Sequence, residues 1–239
     1  EEHNVKVLYA VETGSRAWGF ESPNSDYDVR FIYTHPKDWY MSVDLEYKRD
    51  IIEYEIEDEI DINGWDIRKA LQLFWKSNPT LVEWLQSPIV YVDNNSFASG
   101  ARQLLGDVYS IEKGVYHYRS IAKINYYRYL KEEVVPLKKY FYVLRPLLSI
   151  MWLEKYQKPA PGEFEKLRSL IPVGSNLDNE ISRLVERKKK SLEKELAPPV
   201  AELNSFIEEE LNRLESYQGS PKLDKVRMES LNSLFRVCV

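Results

Sequence analysis

The chain has 239 residues, of which 44% are hydrophobic and 30% charged, a balance typical of a globular protein with a substantial core. Its formal net charge of −5 argues against a generally basic nucleic-acid coat, and its single cysteine, Cys238, excludes an internal disulfide and a cysteine-based metal cluster. The sequence has no apolar run long enough to span a membrane and no visible signal peptide, so we expect a cytoplasmic protein. Because the first residue is not Met, we expect that some N-terminal sequence is missing.

Two predicted strands flank a polar segment near the start of the chain. Residues 5–11 and 29–33 are rich in β-branched and aromatic side chains, which favour strands. Between them we expect a turn at Gly14-Ser15 and then a short helical or looped crossing. The Pro-Asn-Ser triplet at residues 23–25 ends this crossing and leads the chain into the second strand.

Two carboxylates one residue apart open the second strand. In extended backbone Asp26 and Asp28 point to the same side, and two like charges that close repel unless a cation lies between them. A hard cation such as Mg2+ suits two carboxylates together with phosphate oxygens. Gly14 and Ser15 offer a backbone N–H and a hydroxyl to the same phosphates. The stretch predicts a site for a metal-bound triphosphate, although without the Gly-Ser pair a solvated turn would explain the two acids better.

The middle of the chain returns to strands before its first long helix. Apolar and acidic residues alternate over residues 51–57, and a second strand is expected over residues 59–65. Asp66 suits the N-cap of the following helix, and we expect that helix to end at Asn78-Pro79.

The rest of the chain is predicted to be helical. The spacing of apolar residues indicates helices over residues 96–107, 111–131, 136–155, 163–170, 178–196 and 200–217. Pro146 should kink or split the third of them. We therefore predict an α+β fold, with a mixed sheet and flanking helices over residues 1–92 and an all-helical domain over residues 93–239.

The polar motifs resemble those of a known superfamily. Gly14-Ser15, a ten-residue gap and Asp26-x-Asp28 in a strand are similar to the signature of the DNA polymerase β-type nucleotidyltransferases. The runs GSRAWG at residues 14–19, DINGWDIRK at 61–69 and NPTLVEWLQSP at 78–88 resemble a subfamily of predicted nucleotidyltransferases, some of which are associated with RNA repair. The resemblance covers roughly residues 5–170, more loosely through Lys138-Lys139 and residues 144–146.

The resemblance implies a small mixed-sheet nucleotidyltransferase core and transfer of a nucleoside monophosphate from a triphosphate, ATP among them, to a hydroxyl, with release of pyrophosphate. Two Mg2+ ions, or Mn2+ in their place, would be ligated by Asp26 and Asp28 and by a third carboxylate that helps to activate the hydroxyl. We expect Asp61 to be this third acid, because the superfamily places it in mid-strand. Asp66 is the rival candidate, although a helix N-cap role explains it more simply. Glu59 and Glu55 are candidates ranked after both.

Further candidates come from the residues around the acids and from the same resemblance. We expect Gly14, Ser15 and Arg16 to contact the nucleotide, and Arg30 to pair with the acids or to approach phosphate. In this superfamily an appended helical domain often contacts base, ribose and triphosphate. The corresponding expectation here is nucleotide binding by Lys138, Lys139, Arg145 and His117. The basic run at residues 187–190 is expected to be a solvated helix face.

The sequence leaves the acceptor and the class of function open. An RNA end, a protein, as in antitoxin-like relatives, and a small molecule all remain candidate acceptors. The alternative is a non-catalytic member that binds a nucleotide or another protein. The C-terminal helices, with apolar residues at helical spacing, are expected to pack on the body of the protein or to form a homo-oligomer.

Overall fold

The computed structural model describes residues 3–94, 96–190, 195–218 and 225–239, with only the backbone for 225–227. Contacts divide the chain into two compact units. The first unit comprises Glu1–Ala17, Asp26–Tyr109 and Lys222–Val239, and the second comprises Trp18–Ser25 and Ser110–Pro221.

The first unit is built on a mixed sheet. Its strands are β1 (Lys6–Glu12), β2 (Tyr27–Thr34), β3 (Ile51–Glu53), β4 (Ile60–Asp66) and β5 (Val90–Asp93), in the order β3-β4-β2-β1-β5. Strand β2 pairs antiparallel with β1 and parallel with β4. The remaining pairs, β1 with β5 and β3 with β4, are antiparallel. The sheet therefore places β2, which carries Asp28, directly beside β4, which carries Asp61.

Helices cover this sheet and supply its core. They are α1 (Gly14–Trp18, whose last residue belongs to the second unit), α2 (Lys37–Tyr40), α3 (Ile67–Trp75), α4 (Pro79–Leu85), α5 (Ser96–Gln103), α6 (Leu105–Val108) and α12 (Lys225–Cys238), and a 3-10 turn spans Leu45–Tyr47. The predicted cap of α3 is confirmed, since the Asp66 side chain accepts a hydrogen bond from the Arg68 N–H at 2.8 Å. Helix α12 packs against α3 and α5 and buries Leu231 and Leu234 in their core.

The second unit is helical. Its elements are α7 (Ile111–Tyr129), α8 (Lys138–Tyr156), α9 (Phe164–Arg168), α10 (Asn176–Lys190) and α11 (Ala201–Glu215), with a two-residue pairing of β6 (Val135–Pro136) and β7 (Leu196–Ala197). The α+β fold class is confirmed. None of the helices in the described ranges is long and apolar enough to cross a bilayer.

The structure corrects or narrows three sequence-based expectations in this unit. Pro146 does not split α8, which continues through it as one helix. The helix predicted over residues 178–196 does not reach Leu196, which is in β7; α10 covers Asn176–Lys190, and residues 191–194 lie outside the described ranges. The basic run is not wholly solvated, because Lys188 is 3% exposed and its Nζ donates to Ser22 Oγ at 2.9 Å.

The division by contacts groups α5, α6 and α12 with the sheet and residues 18–25 with the helical unit. Contacts within a folded chain do not establish which segments fold independently, so the domain boundary near residue 93 stays a prediction.

Candidate active site

The centre of the candidate site is a pair of carboxylates on neighbouring parallel strands. Asp28 of β2 is the direct partner of Asp61 of β4 in the strand register. Both side chains are about one-third exposed, at 29% and 30%. Asp26, which precedes β2, is exposed. The register thus explains how two acids 33 positions apart in the sequence become neighbours.

Arg30 joins the two acids. Its Nη2 lies 3.0 Å from Asp28 Oδ1 and 2.7 Å from Asp61 Oδ2, and its Nη1 donates to the Asp61 carbonyl oxygen at 2.8 Å. Side chains two residues apart on a strand share a face, which is why Arg30 can reach Asp28. The expected pairing of Arg30 with the acids is present, and its single positive charge offsets one of their two negative charges.

Gly14 lies against the Asp28 carboxylate. Its φ of +63° is a left-handed conformation, and a Cβ at this position would lie 1.9 Å from Asp28 Oδ2. The preceding Thr13 donates to the Asp28 carbonyl oxygen from both its N–H and its Oγ1, at 2.9 and 3.1 Å. Both the conformation and the close approach therefore require glycine at position 14.

Glu12 is a site residue that the sequence analysis missed. It is fully buried at the end of β1, and its Oε1 accepts the Asp28 backbone N–H at 2.8 Å. Its Oε2 accepts the Tyr91 hydroxyl at 2.5 Å. An acid closing a strand of otherwise buried apolar residues was the signal that could have identified it.

Arg16 lies beside the acids through a different contact. Its guanidinium carbon is 3.8 Å from the centre of the Tyr27 ring, and its Nε donates to the Asp26 carbonyl oxygen at 3.3 Å. Ser15 is half-buried in α1. Nucleotide binding by Ser15 and Arg16 stays a prediction.

Burial and neighbouring acids set the electrostatics of the carboxylate pair. Burial raises the pKa of the Asp28 carboxyl, Arg30 lowers it, and the charges of Asp61, Glu12 and Asp26 raise it further. The net shift is upward, so the protein without a further cation favours the protonated form of Asp28 more than an ordinary aspartate would.

Asp66, the rival for the third acid, has its carboxylate committed to other contacts. It is 1% exposed, its Oδ2 accepts the Tyr40 hydroxyl at 2.6 Å, and its Oδ1 caps α3. In the register it lies opposite Tyr33, whereas Asp61 lies opposite Asp28. This geometry favours Asp61, and the assignment of the third acid stays a prediction.

The acids are not preassembled around an ion. Among the described residues, no three His, Cys, Asp or Glu side chains are grouped so as to hold a metal. The carboxylates of Asp28 and Asp61 nevertheless bind a cation, since the Arg30 guanidinium already bridges their oxygens. Their oxygen donors therefore suit a hard divalent ion that would take the place of this guanidinium.

The candidates from the helical half of the sequence lie in the second unit. Arg145 is buried, its Nε donates to the Gly162 carbonyl oxygen at 3.2 Å, and its guanidinium carbon is 4.1 Å from the Trp18 ring. Lys138, Lys139 and His117 are half-buried. Their binding of nucleotide stays a prediction.

A model of the RlaP family, described as the RNA repair pathway DNA polymerase beta family, matches residues 1–237. The chain belongs to the RlaP family. The match extends beyond residues 5–170, where the resemblance was noted from motifs, and it confirms that resemblance. The chain is also 44% identical over 235 residues to "Uncharacterized protein YcgL" of Bacillus subtilis (strain 168), with 98% of this chain and 90% of that protein covered. Membership of RlaP places the chain among DNA polymerase β-like proteins and suggests a nucleotidyltransferase-type enzyme.

Proposed function

We propose that the protein is a metal-dependent nucleotidyltransferase that moves a nucleoside monophosphate from a nucleoside triphosphate to a hydroxyl acceptor and releases pyrophosphate. The observation that carries this proposal is the pairing of Asp28 with Asp61 across parallel strands, with Gly14 against the first carboxylate. Family membership supports the same reaction class.

In this proposal Asp28 and Asp61, joined by Asp26, would hold Mg2+ or Mn2+. The bound ion would supply positive charge that offsets the charge of the triphosphate and polarises its phosphorus. Glu12 fixes the backbone of Asp28 through its hydrogen bond to the N–H, so the carboxylate keeps its direction. Asp61 Oδ2, once Arg30 releases it, accepts the proton of the acceptor hydroxyl.

The side chain missing at Gly14 has a direct use in this arrangement. It leaves the backbone of the turn free to approach the Asp28 carboxylate and the phosphates near it. Arg30, once it has released Asp61, interacts with the triphosphate. The family description favours an RNA end as acceptor over a protein or a small molecule.

The second candidate function is a nucleotide-binding or protein-interaction module without catalysis. The observation in its favour is that Arg30 already bridges the two acids and offsets one of their charges, and that no metal-holding group is preassembled in the described residues. Such a module would bind a nucleotide without turning it over.

The deciding experiment is incubation with each of the four triphosphates, labelled at the α-phosphate, with Mg2+ or Mn2+ and with RNA, protein or no acceptor. We expect label on one acceptor, abolished in Asp28→Asn and Asp61→Asn. Asp93→Asn is the matched control, because Asp93 is an acid of the same sheet in a 3.6 Å surface pair with Arg102. Nucleotide binding with no transfer to any acceptor would instead support the non-catalytic module, and label transfer that survives in Asp28→Asn would refute the assigned site.

A further inference from the structure

Cations and aromatic rings alternate along one stretch of the second unit. Lys139 Nζ lies 4.1 Å from the centre of the Tyr129 ring and 4.6 Å from that of Tyr142. The guanidinium carbon of Arg128 lies 5.3 Å from the same Tyr129 ring. Each distance is within the range of a cation–π interaction. We call this stretch, with Lys138 added, the cation–ring ladder: Arg128, Tyr129, Lys138, Lys139 and Tyr142.

The ladder is anchored at one end. The rings of Tyr142 and Trp18 form an edge-to-face pair with 6.0 Å between their centres. The guanidinium of Arg145 forms a cation–π contact with the same Trp18 ring. Trp18 follows Gly14 by four residues in the sequence. Because Arg145 is buried, the end of the ladder at Tyr142 is fixed by packing. The exposed parts of the ladder residues are the ones that a ligand can reach.

The charges that act on Lys139 are positive. Burial lowers the pKa of the Lys139 ammonium, and the nearby charges of Lys138 and Arg128 lower it further. The chain has 38 acidic and 33 basic residues, so this concentration of cations does not follow from its composition. Gathering three like charges costs stability, and a bound polyanion would offset that cost.

The outer ladder is accessible. Arg128 is exposed, Tyr142 is 37% exposed, and Lys138 and Lys139 are half-buried. Proteins that hold single strands without reading their sequence combine cations for the phosphates with aromatic rings on which bases stack. The ladder has both components, side by side.

We propose that the cation–ring ladder binds a single-stranded polynucleotide, with phosphates at Arg128, Lys138 and Lys139 and a base against Tyr142. A free triphosphate has its phosphates at one end and one base at the other, whereas here cations and rings alternate. Lys138 and Tyr142 are one helical turn apart, a rise of about 6 Å, which is close to two steps of about 3.4 Å along a strand. The idea that this strand is the acceptor rests on the proposed function. The idea that the ladder binds a single strand is independent of the proposed function.

The test is the affinity of the full chain for a fluorescein-labelled single-stranded RNA of 12 nucleotides and mixed sequence. It is measured by fluorescence anisotropy between 50 and 200 mM salt, without Mg2+ or triphosphate. Arg128→Gln and Lys139→Gln should each weaken binding about threefold to tenfold at the lowest salt and reduce the slope of log K against log salt by about 0.7. Tyr142→Leu should weaken binding at an unchanged slope, and Tyr142→Phe should restore it.

Lys155→Gln is the matched control. Lys155 is an exposed lysine of α8 whose Nζ lies 5.3 Å from a tyrosine ring outside the ladder, and its replacement should change neither affinity nor slope. Thermal melts identify any variant that fails to fold. If Lys139→Gln fails to fold, Arg128→Gln still tests the proposal, because Arg128 is exposed.

Four results would overturn the proposal: no RNA binding at 50 mM salt, an equal loss in Lys155→Gln, equal affinity for the duplex of the same sequence, or ladder variants that weaken ATP binding but not RNA binding. RNA binding without nucleotidyl transfer would support the ladder and refute the proposed function. Transfer without RNA binding would do the reverse.

Discussion

Asp28 and Asp61 are register partners on parallel strands, and one nitrogen of Arg30 lies within 3.0 Å of both carboxylates. In the proposed function, a divalent ion shared by these two carboxylates would compete with Arg30 for their oxygens. The proposed metal binding can therefore be tested by stability as well as by activity.

The first prediction concerns Arg30. In Arg30→Gln two adjacent carboxylates lose their counter-charge, so the metal-free protein should lose about 1–3 kcal/mol of its free energy of unfolding. Mg2+ should then raise the melting temperature of the variant more than that of the native chain, because it meets no competing guanidinium. Calorimetric melts with and without Mg2+ measure both effects.

Arg49→Gln is the control for Arg30→Gln. Arg49 pairs with Glu53 at 2.8 Å in the same unit, but its side chain is 71% exposed. An exposed pair of this kind contributes under about 1 kcal/mol, and Mg2+ should have no added effect. A loss in Arg30→Gln that is no larger than in Arg49→Gln would contradict the bridging role.

The second prediction compares Gly14 with Gly19, in order to separate a steric clash of an added Cβ from the cost of a left-handed backbone conformation. Gly14→Ala should destabilise the protein and displace the Asp28 carboxylate, because the new methyl carbon would lie 1.9 Å from Asp28 Oδ2, far inside van der Waals contact. Gly19→Ala should show strain alone, about 1–2 kcal/mol, since its φ is +86° and no atom lies within 4 Å of an added Cβ. Triphosphate affinity, measured by calorimetry, should fall only in Gly14→Ala. Equal effects in both variants would show that the contact with Asp28 is unimportant.

The third prediction concerns Glu12. Glu12→Ala should leave the Asp28 N–H without its acceptor inside the fold, at a cost of about 1–3 kcal/mol. Tyr91→Phe removes only the other hydrogen bond of Glu12 and should cost about 1 kcal/mol. Denaturant unfolding compares the two. If nucleotidyl transfer is detected, it should fall in Glu12→Ala and persist in Tyr91→Phe; unchanged transfer in Glu12→Ala would remove Glu12 from the site.

The fourth prediction is a pH dependence. Because the pKa of Asp28 is raised on folding, mainly by burial, the folded state binds more protons than the unfolded chain above about pH 4. The contribution of Asp28 to stability is therefore present at low pH and is lost as pH rises through its folded pKa. Melting curves of Asp28→Asn in metal-free buffer should lack this part of the decline. A difference between native and variant curves that grows as pH falls below 4 would have the wrong sign.

Sequence reasoning recovered the parts of the site that local patterns encode. The turn at Gly14 and the cap at Asp66 follow from spacing and from the chemistry of each residue type, whereas a shared role for Asp26 and Asp28 stays a prediction. The partnership of Asp28 with Asp61 was expected only through the family resemblance, because strand register depends on pairing across the sheet.

Other features were beyond reach for physical reasons. The position of Glu12 at the end of an apolar strand was a local signal, but its full burial depends on β1 lying between β2 and β5. Lys188 looked like part of a solvated run because a helix face becomes buried only when another segment covers it. Pro146 lies within a closely packed helix, where tertiary contacts outweigh its local preference.

A core of the first unit is closed by α12, whose Leu231 and Leu234 pack with residues more than a hundred positions earlier. A partial chain that carries all the candidate acids but stops before this helix would leave apolar surface of α3 and α5 uncovered. The last helix of the chain therefore contributes to the stability of the unit that carries the candidate acids, although it supplies none of them.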